Sequence, residues 1–353
     1  MARTILFAEV PGFYAAVERA EDPALATRPV IVGGDPRKKG RVQAATPDAL
    51  AAGVEVDMPV IEALRLCPQA RAVRTHMARY REVSRGLMTA MRGVLSRLEG
   101  FGMAGAYADV SGADDGEARA LLLCARVRER LDLPLRVGIA SAKYLARLAA
   151  QDLAEEGVHR VPAGGEHAFL GPLPVTRLDG VGSKTASRLA EIGVHTIGEV
   201  YSLGRERLQE VFGAHGLRIY GYAAATDAEP VRVLPHPRSL SRESTVRAES
   251  RDHVVLVEQI ASLAQQLEGE LSRQGLAAGK VTLKLRFADQ GTTTRTQSLV
   301  DPLRAAPPLL EVAQGLLART PAGAREVRGV GLQLTALVPA DEGERQLALF
   351  TGR

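Results

Sequence analysis

Along the first 160 residues the apolar positions follow two rhythms. Short runs bounded by turn residues read as buried strands at 5–10 (ILFAEV), 103–110 and 136–142 (RVGIASA). Between them, residues 13–22, 79–98, 116–131 and 142–156 repeat their apolar positions at helical spacing. Residues 29–77 are richer in Gly and Pro, with short β-like pieces (PVIVGG, ARAVR) and one apolar helix, IEALRLC. The pattern predicts a mixed α/β region that carries a small insertion. From Gly164 to about Val231 it changes to short helices broken by glycines. VRVLPHPR then reads as a linker, since its two prolines cannot join a helix or a central strand. The remainder alternates as strand 239–247, helix 253–274, strands 280–288 and 292–300, helix 306–318 and strand 327–337. This split-βαβ order predicts helices on one face of an antiparallel sheet, with the other face free.

Composition narrows the class. A chain of 353 residues suggests two to three domains. No segment reaches the roughly 18 apolar residues of a membrane span. No charged-then-apolar leader opens the chain, so a cytoplasmic, nucleoid-associated protein without a membrane partner is expected. Cys67 and Cys124 have neither partners nor metal-ligand spacing, as for free thiols in a reducing compartment. The net charge is +4, and residues 231–340 account for it with fourteen Lys and Arg against ten Asp and Glu. A basic excess confined to the C-terminal module points to a polyanion as its partner.

Three segments carry candidate chemistry. LDGVGSKTASRLAEIGV, residues 178–194, has the form of a helix-hairpin-helix, its second helix starting near Ser183. Gly180, Val181 and Gly182 make a turn whose backbone N–H groups can approach a phosphate, and a helix N-terminus follows. Lys184 and Arg188 add positive charge; the plainer reading is a tight turn between packed helices. In KVTLKLRFAD, Lys280, Lys284 and Arg286 fall on one side of a strand. Thr292, Thr294 and Arg295 on the next strand, with Arg242 and Arg247 on the first, complete a predicted DNA-binding set. At the end of the chain, Gln346, Leu347, Leu349 and Phe350 sit in a QLALF run. It presents apolar anchors and one amide to a groove, as the bacterial sliding-clamp pentapeptide does.

ILFAEVPGFYAAVE (5–18) and GMAGAYADV (102–110) resemble signature segments of the Y-family DNA polymerases, polymerase IV among them. The resemblance runs in order along nearly the whole chain. It implies an α/β multidomain fold: palm (1–10 and 78–163), fingers (11–77), helical thumb with the hairpin (164–231), linker (232–240), little finger (241–340) and a clamp-binding tail (341–353). In the family, four carboxylates of these two segments hold paired metal ions; the matching positions here are Glu9, Pro11, Ala104 and Gly105. The triphosphate ligands match Pro47, Leu50 and Ala154, the last beyond a KYLAR helix. Tyr14 matches the bulky residue that excludes the ribose hydroxyl and reads as palm packing. Two ions roughly 3.5–4 Å apart need several hard oxygen ligands. The expectation is therefore a silent, ImuB-type relative: no enzyme, no metal or other cofactor, binding primer–template DNA without sequence preference. It would bind the sliding clamp and serve a separate translesion polymerase. Two alternatives stand beside it: a working polymerase with a relocated magnesium site on Glu9 and Asp109, and a competitor that limits access of other polymerases to the clamp.

Overall fold

The computed structural model describes residues 3–112, 115–233 and 236–340, apart from the side chains of 247–249, and divides into two units, Met1–Val233 and Leu234–Arg353. In the first unit, strands β1 (Ile5–Glu9), β2 (Val30–Gly33), β3 (Val42–Ala45), β4 (Arg71–Arg74), β5 (Leu98–Phe101), β6 (Gly105–Asp109), β7 (Arg136–Ala140) and β8 (Gly157–Arg160) form two sheets. The larger has the order β5-β6-β1-β7-β8, and the smaller β3-β2-β4. β1 is central, and its near-unbroken apolar run suits a strand covered on both faces. Leu6 and Ala8 join one core with Tyr80, Leu87, Leu123 and Val127; Ile5 and Phe7 join the other with Leu145 and Leu148.

The covering helices are α1 (Phe13–Glu21), α2 (Pro47–Ala51), α3 (Val60–Leu66), α4 (Met77–Arg92), α5 (Gly116–Leu131) and α6 (Lys143–Asp152). α4 and α5 carry the residues that meet Leu6, while α6 lies against β7. That approach is close: a Cβ at Gly138 would stand 1.8 Å from the Ala146 carbonyl oxygen. Two predicted helices are too long. α4 stops at Arg92 and α6 at Asp152, and short turns then lead into the edge strands β5 and β8. These edges are partly exposed and short of apolar residues, so they carry little strand signal of their own.

The rest of this unit is helical: α7 (Glu166–Leu170), α8 (Ser183–Glu191), α9 (Ile197–Leu203), α10 (Arg205–Phe212) and α11 (Ala214–Ala223). Leu170, Val175, Leu189, Ile197, Leu208 and Ile219 bury into the same core as Phe7 and Leu145. The helical segment and the α6 side of the sheet therefore share one interior.

In the second unit, β9 (Ser239–Ser250), α12 (His253–Gln274), β10 (Leu276–Phe287), β11 (Thr292–Leu303), α13 (Ala306–Leu317) and β12 (Val327–Pro339) give the expected split-βαβ order. The sheet is antiparallel throughout, in the order β11-β10-β12-β9. Val281, Leu283, Leu285 and Phe287 face Leu256, Ile260, Leu263, Leu309 and Leu316 of the two helices. The intervening residues of β10 face away.

Candidate active site and nucleic-acid interface

Glu9 ends β1, paired with Gly105 of β6 on one side and Arg136 of β7 on the other. Beyond it the chain turns through Pro11 and Gly12 into α1. Gly12 has φ 57°, and a Cβ there would stand 2.5 Å from the Ala45 carbonyl oxygen, so the turn fits tightly against β3. Two concavities open beside this turn. One, of about 530 Å³, is lined by Pro11, Pro47 and Ala154 together with Arg19, Asp48 and Arg136. The other, of about 360 Å³, is lined by Tyr14, Leu50, Ala104, Gln43 and Met103. The fold thus gathers the positions that were singled out separately in the sequence.

Burial pushes the Glu9 carboxyl above the ordinary carboxylate range, while Arg136, Arg147 and Gln151 pull it back. Burial in turn lowers the pKa of the Arg136 guanidinium, and the Glu9 charge partly offsets this. Tyr14 stacks on Tyr80 with ring centres 4.5 Å apart, and its hydroxyl lies 3.7 Å from the Met103 sulfur. Asp109 does not approach Glu9. It pairs with Ile5 at the opposite end of β1, and accepts the Ser111 backbone N–H at 2.9 Å. A shared Glu9–Asp109 metal site is excluded by this register. Among the described residues no group of three acids, histidines or cysteines converges on one point. Ala104, Gly105 and Pro11 bring no side-chain oxygen, so the residues present do not fit a two-ion site.

The hairpin is formed as expected. Gly180 has φ 86°, Val181 is buried, and Gly182 caps α8 without any side-chain partner for its first turn. Lys184 is exposed beside it. Arg188 is committed elsewhere: it donates to the Val211 carbonyl at 3.0 Å and lies 4.9 Å from the Phe212 ring centre.

On the second unit's open face, Lys284 and Arg286 stand across from Thr294 and Thr292, and both reach Glu243, at 3.5 and 3.2 Å. Arg242 and Arg295 are not on that face. Arg242 pairs with Leu332 and Arg295 with Leu283, both buried under the helices, and strand pairing puts partners on the same side. Arg242 bonds Glu270 of α12 at 2.8 Å, and Arg295 donates to the Arg319 carbonyl at 2.9 Å. The side chain of Arg247, and the tail residues Gln346, Leu347, Leu349 and Phe350, lie outside the described residues. Arg136, Arg147 and Asp179 were not foreseen as site residues. The register of β1 against β7 and the packing of α6 on the hairpin bring them in, and neither leaves a local trace in the sequence.

Residues 9–151 match the impB/mucB/samB family, and residues 237–349 match that family's C-terminal domain. The chain is 34% identical to DNA polymerase IV of Alkalilimnicola ehrlichii, over 99% of both chains. It is 32% identical to DNA polymerase IV 1 of Bacillus subtilis, over 99% of this chain and 86% of that one. Among solved structures it resembles the insertion ternary complex of Dbh DNA polymerase, with TM-score 0.76 and 22% identity over 94% of this chain and 98% of that one. It also resembles a Y-family Dbh–Dpo4 chimera, with TM-score 0.80 and 23% identity over 95% and 99%.

These relatives correct two expectations. A chain similar from end to end to proteins named DNA polymerase IV is not set apart as a non-enzyme, and the ImuB-type assignment loses its basis. The expectation of no metal falls with it, because polymerase chemistry runs on divalent ions. The substituted carboxylates remain a fact of the floor, but they do not outweigh kinship along the full length. On fold, sequence and relatives together, the chain belongs to the impB/mucB/samB family, as a polymerase IV-like member of the Y-family DNA polymerases.

Proposed function

We propose that this chain performs template-directed nucleotide addition in translesion DNA synthesis, holding primer–template DNA through its phosphates and tethered to the sliding clamp by its tail. The observation that carries the reading is the likeness to a DNA polymerase IV along 99% of both chains. Glu9 is the reacting floor's carboxylate, fixed at the end of a strand paired on both sides. Since its neighbours do not fit two ions, no step through a metal is drawn. The chain's own residues hold the substrate. The hairpin turn at Gly180–Gly182 and the Lys184 side chain meet backbone phosphate, as do Lys284 and Arg286 on the open sheet face. Among the described residues no helix presents a set of side chains for reading base edges, so binding is insensitive to sequence.

Primer extension with magnesium or manganese tests the activity. Template-directed product that disappears in Glu9→Gln is the expected result. No product above a reagent blank with either ion would overturn the reading.

A further inference from the structure

One side chain reaches both the hairpin and the strands of the floor. Arg147, on α6, is 14% exposed and pairs with Asp179, the residue immediately before Gly180. Its guanidinium lies 6.0 Å from the Phe101 ring centre, and that ring packs edge-on to Tyr107 of β6 at 5.7 Å. Phe101 packs edge-on against Phe7 of β1 at 5.4 Å, and Tyr107 lies 4.6 Å from the same ring. A concavity of about 340 Å³ sits against the pair, lined by Arg147, Gln151, Arg177 and the hairpin backbone.

Asp179 is a poor choice for a phosphate-binding turn on charge alone. A carboxylate next to a site for an anion repels it, and a neutral residue would bind better. Its presence is explained by what it does for Arg147. A guanidinium with so little exposure is costly to leave unpaired, so the pair fixes where the chain enters the hairpin. Val181, 7% exposed, plugs the turn into the core just after.

We propose that Arg147 is a positioning residue that locks the hairpin to the strand bearing Glu9, so that a DNA phosphate held at Gly180–Gly182 is registered against the floor. The proposal rests on the reading of the hairpin as a phosphate-binding turn. The lock makes a prediction opposite in sign to simple electrostatics. Removing the negative charge with Asp179→Asn weakens DNA binding rather than strengthening it.

The test is fluorescence anisotropy of the full chain on a primer–template duplex across a salt series, with unfolding midpoints measured alongside. Asp179→Asn and Arg147→Met should each weaken binding about fivefold, and the double variant no more than either, as for two residues acting through one contact. Arg147→Lys, which keeps a positive charge for Asp179 but not the planar fork, should weaken binding less than Arg147→Met does. A role confined to stability would lower the midpoints and leave affinity unchanged well below them. Asp179→Asn binding as tightly as the original chain, or more tightly, would overturn the lock. Asp179 is 44% exposed, so this variant still decides the matter if Arg147→Met does not fold. Failure of the original chain to bind at low salt would overturn both the lock and the reading beneath it.

Discussion

Glu9 combines a buried position with a charge, and the two oppose each other. Burial raises its pKa, with Arg136, Arg147 and Gln151 compensating only in part. The folded state therefore holds the Glu9 proton more tightly than the unfolded chain does. Stability from this group falls as pH rises from the ordinary value of 4.5 through the raised one, and stays lower above it. Glu9→Gln should then unfold at a higher temperature than the original chain at neutral pH, the difference closing below pH 4.5, while abolishing primer extension. Calorimetry at the two pH values checks the first half, and an equal or lower midpoint at neutral pH would refute it. Opposite Glu9, Gly105 is held by contact, since a Cβ there would lie 2.6 Å from the Ala8 carbonyl oxygen and 3.1 Å from the Glu9 Cβ. Gly105→Ala should cost about 1–3 kcal/mol, the usual range for overpacking, read as a lower urea midpoint. Restoring a larger acid at this position meets the same obstacle.

At the scale of elements, β10 shows how parity divides function from packing. Val281, Leu283, Leu285 and Phe287 bury against α12 and α13, which leaves Lys284 and Arg286 on the open face. Glu243, across β12 on β9, reaches both cations and tempers the face they present. Phosphate contacts release counterions, so log affinity should fall linearly with log salt, by about 0.9 per contact on duplex DNA. Reversing charge at Lys284 and Arg286 should weaken all sequences alike and flatten that slope. Glu243→Gln should do the opposite, tightening binding severalfold. An unchanged affinity in Glu243→Gln would place the DNA elsewhere. Arg242→Gln is the internal control, because its partner is Glu270 of α12, on the helix side of the sheet and not the open face.

For the whole molecule, kinship and charge point the same way. Each unit carries a family match, residues 9–151 in the first and 237–349 in the second, and the C-terminal module carries the basic excess. The tail lies outside the described residues, so its role is argued from sequence. Leu349 and Phe350 are two apolar anchors, each worth roughly 1.5–3 kcal/mol when buried in a partner's groove. Replacing both by Ala should reduce affinity for the sliding clamp at least tenfold by calorimetry and leave DNA affinity as it was. Undiminished clamp binding in that variant would assign the contact to another surface.

The order of elements was legible because it is written locally. α5 and α12 have the bounds their periodicity predicts, 116–131 and 253–274, and α12 is also signed at both ends. The Asp252 side chain accepts from the Val254 N–H, and Gly275 closes the helix in the left-handed region. The hairpin was legible for the same reason, since its glycines and the following helix are neighbours in sequence. The kinship too was legible, through motifs that survive as short strings; the inference from missing carboxylates to a missing activity was not sound, because it weighed a few positions against the whole chain. Only the tertiary structure separated Glu9 from Asp109, moved Arg242 and Arg295 to the helix side, and joined Arg147 to Asp179. It also ended two predicted helices early, at Arg92 and Asp152, ahead of β5 and β8. Each of these depends on strand register or on packing between distant segments. A shift of one residue in register reverses which face every side chain occupies, and nothing in the local rhythm of a strand records which neighbour it will pair with.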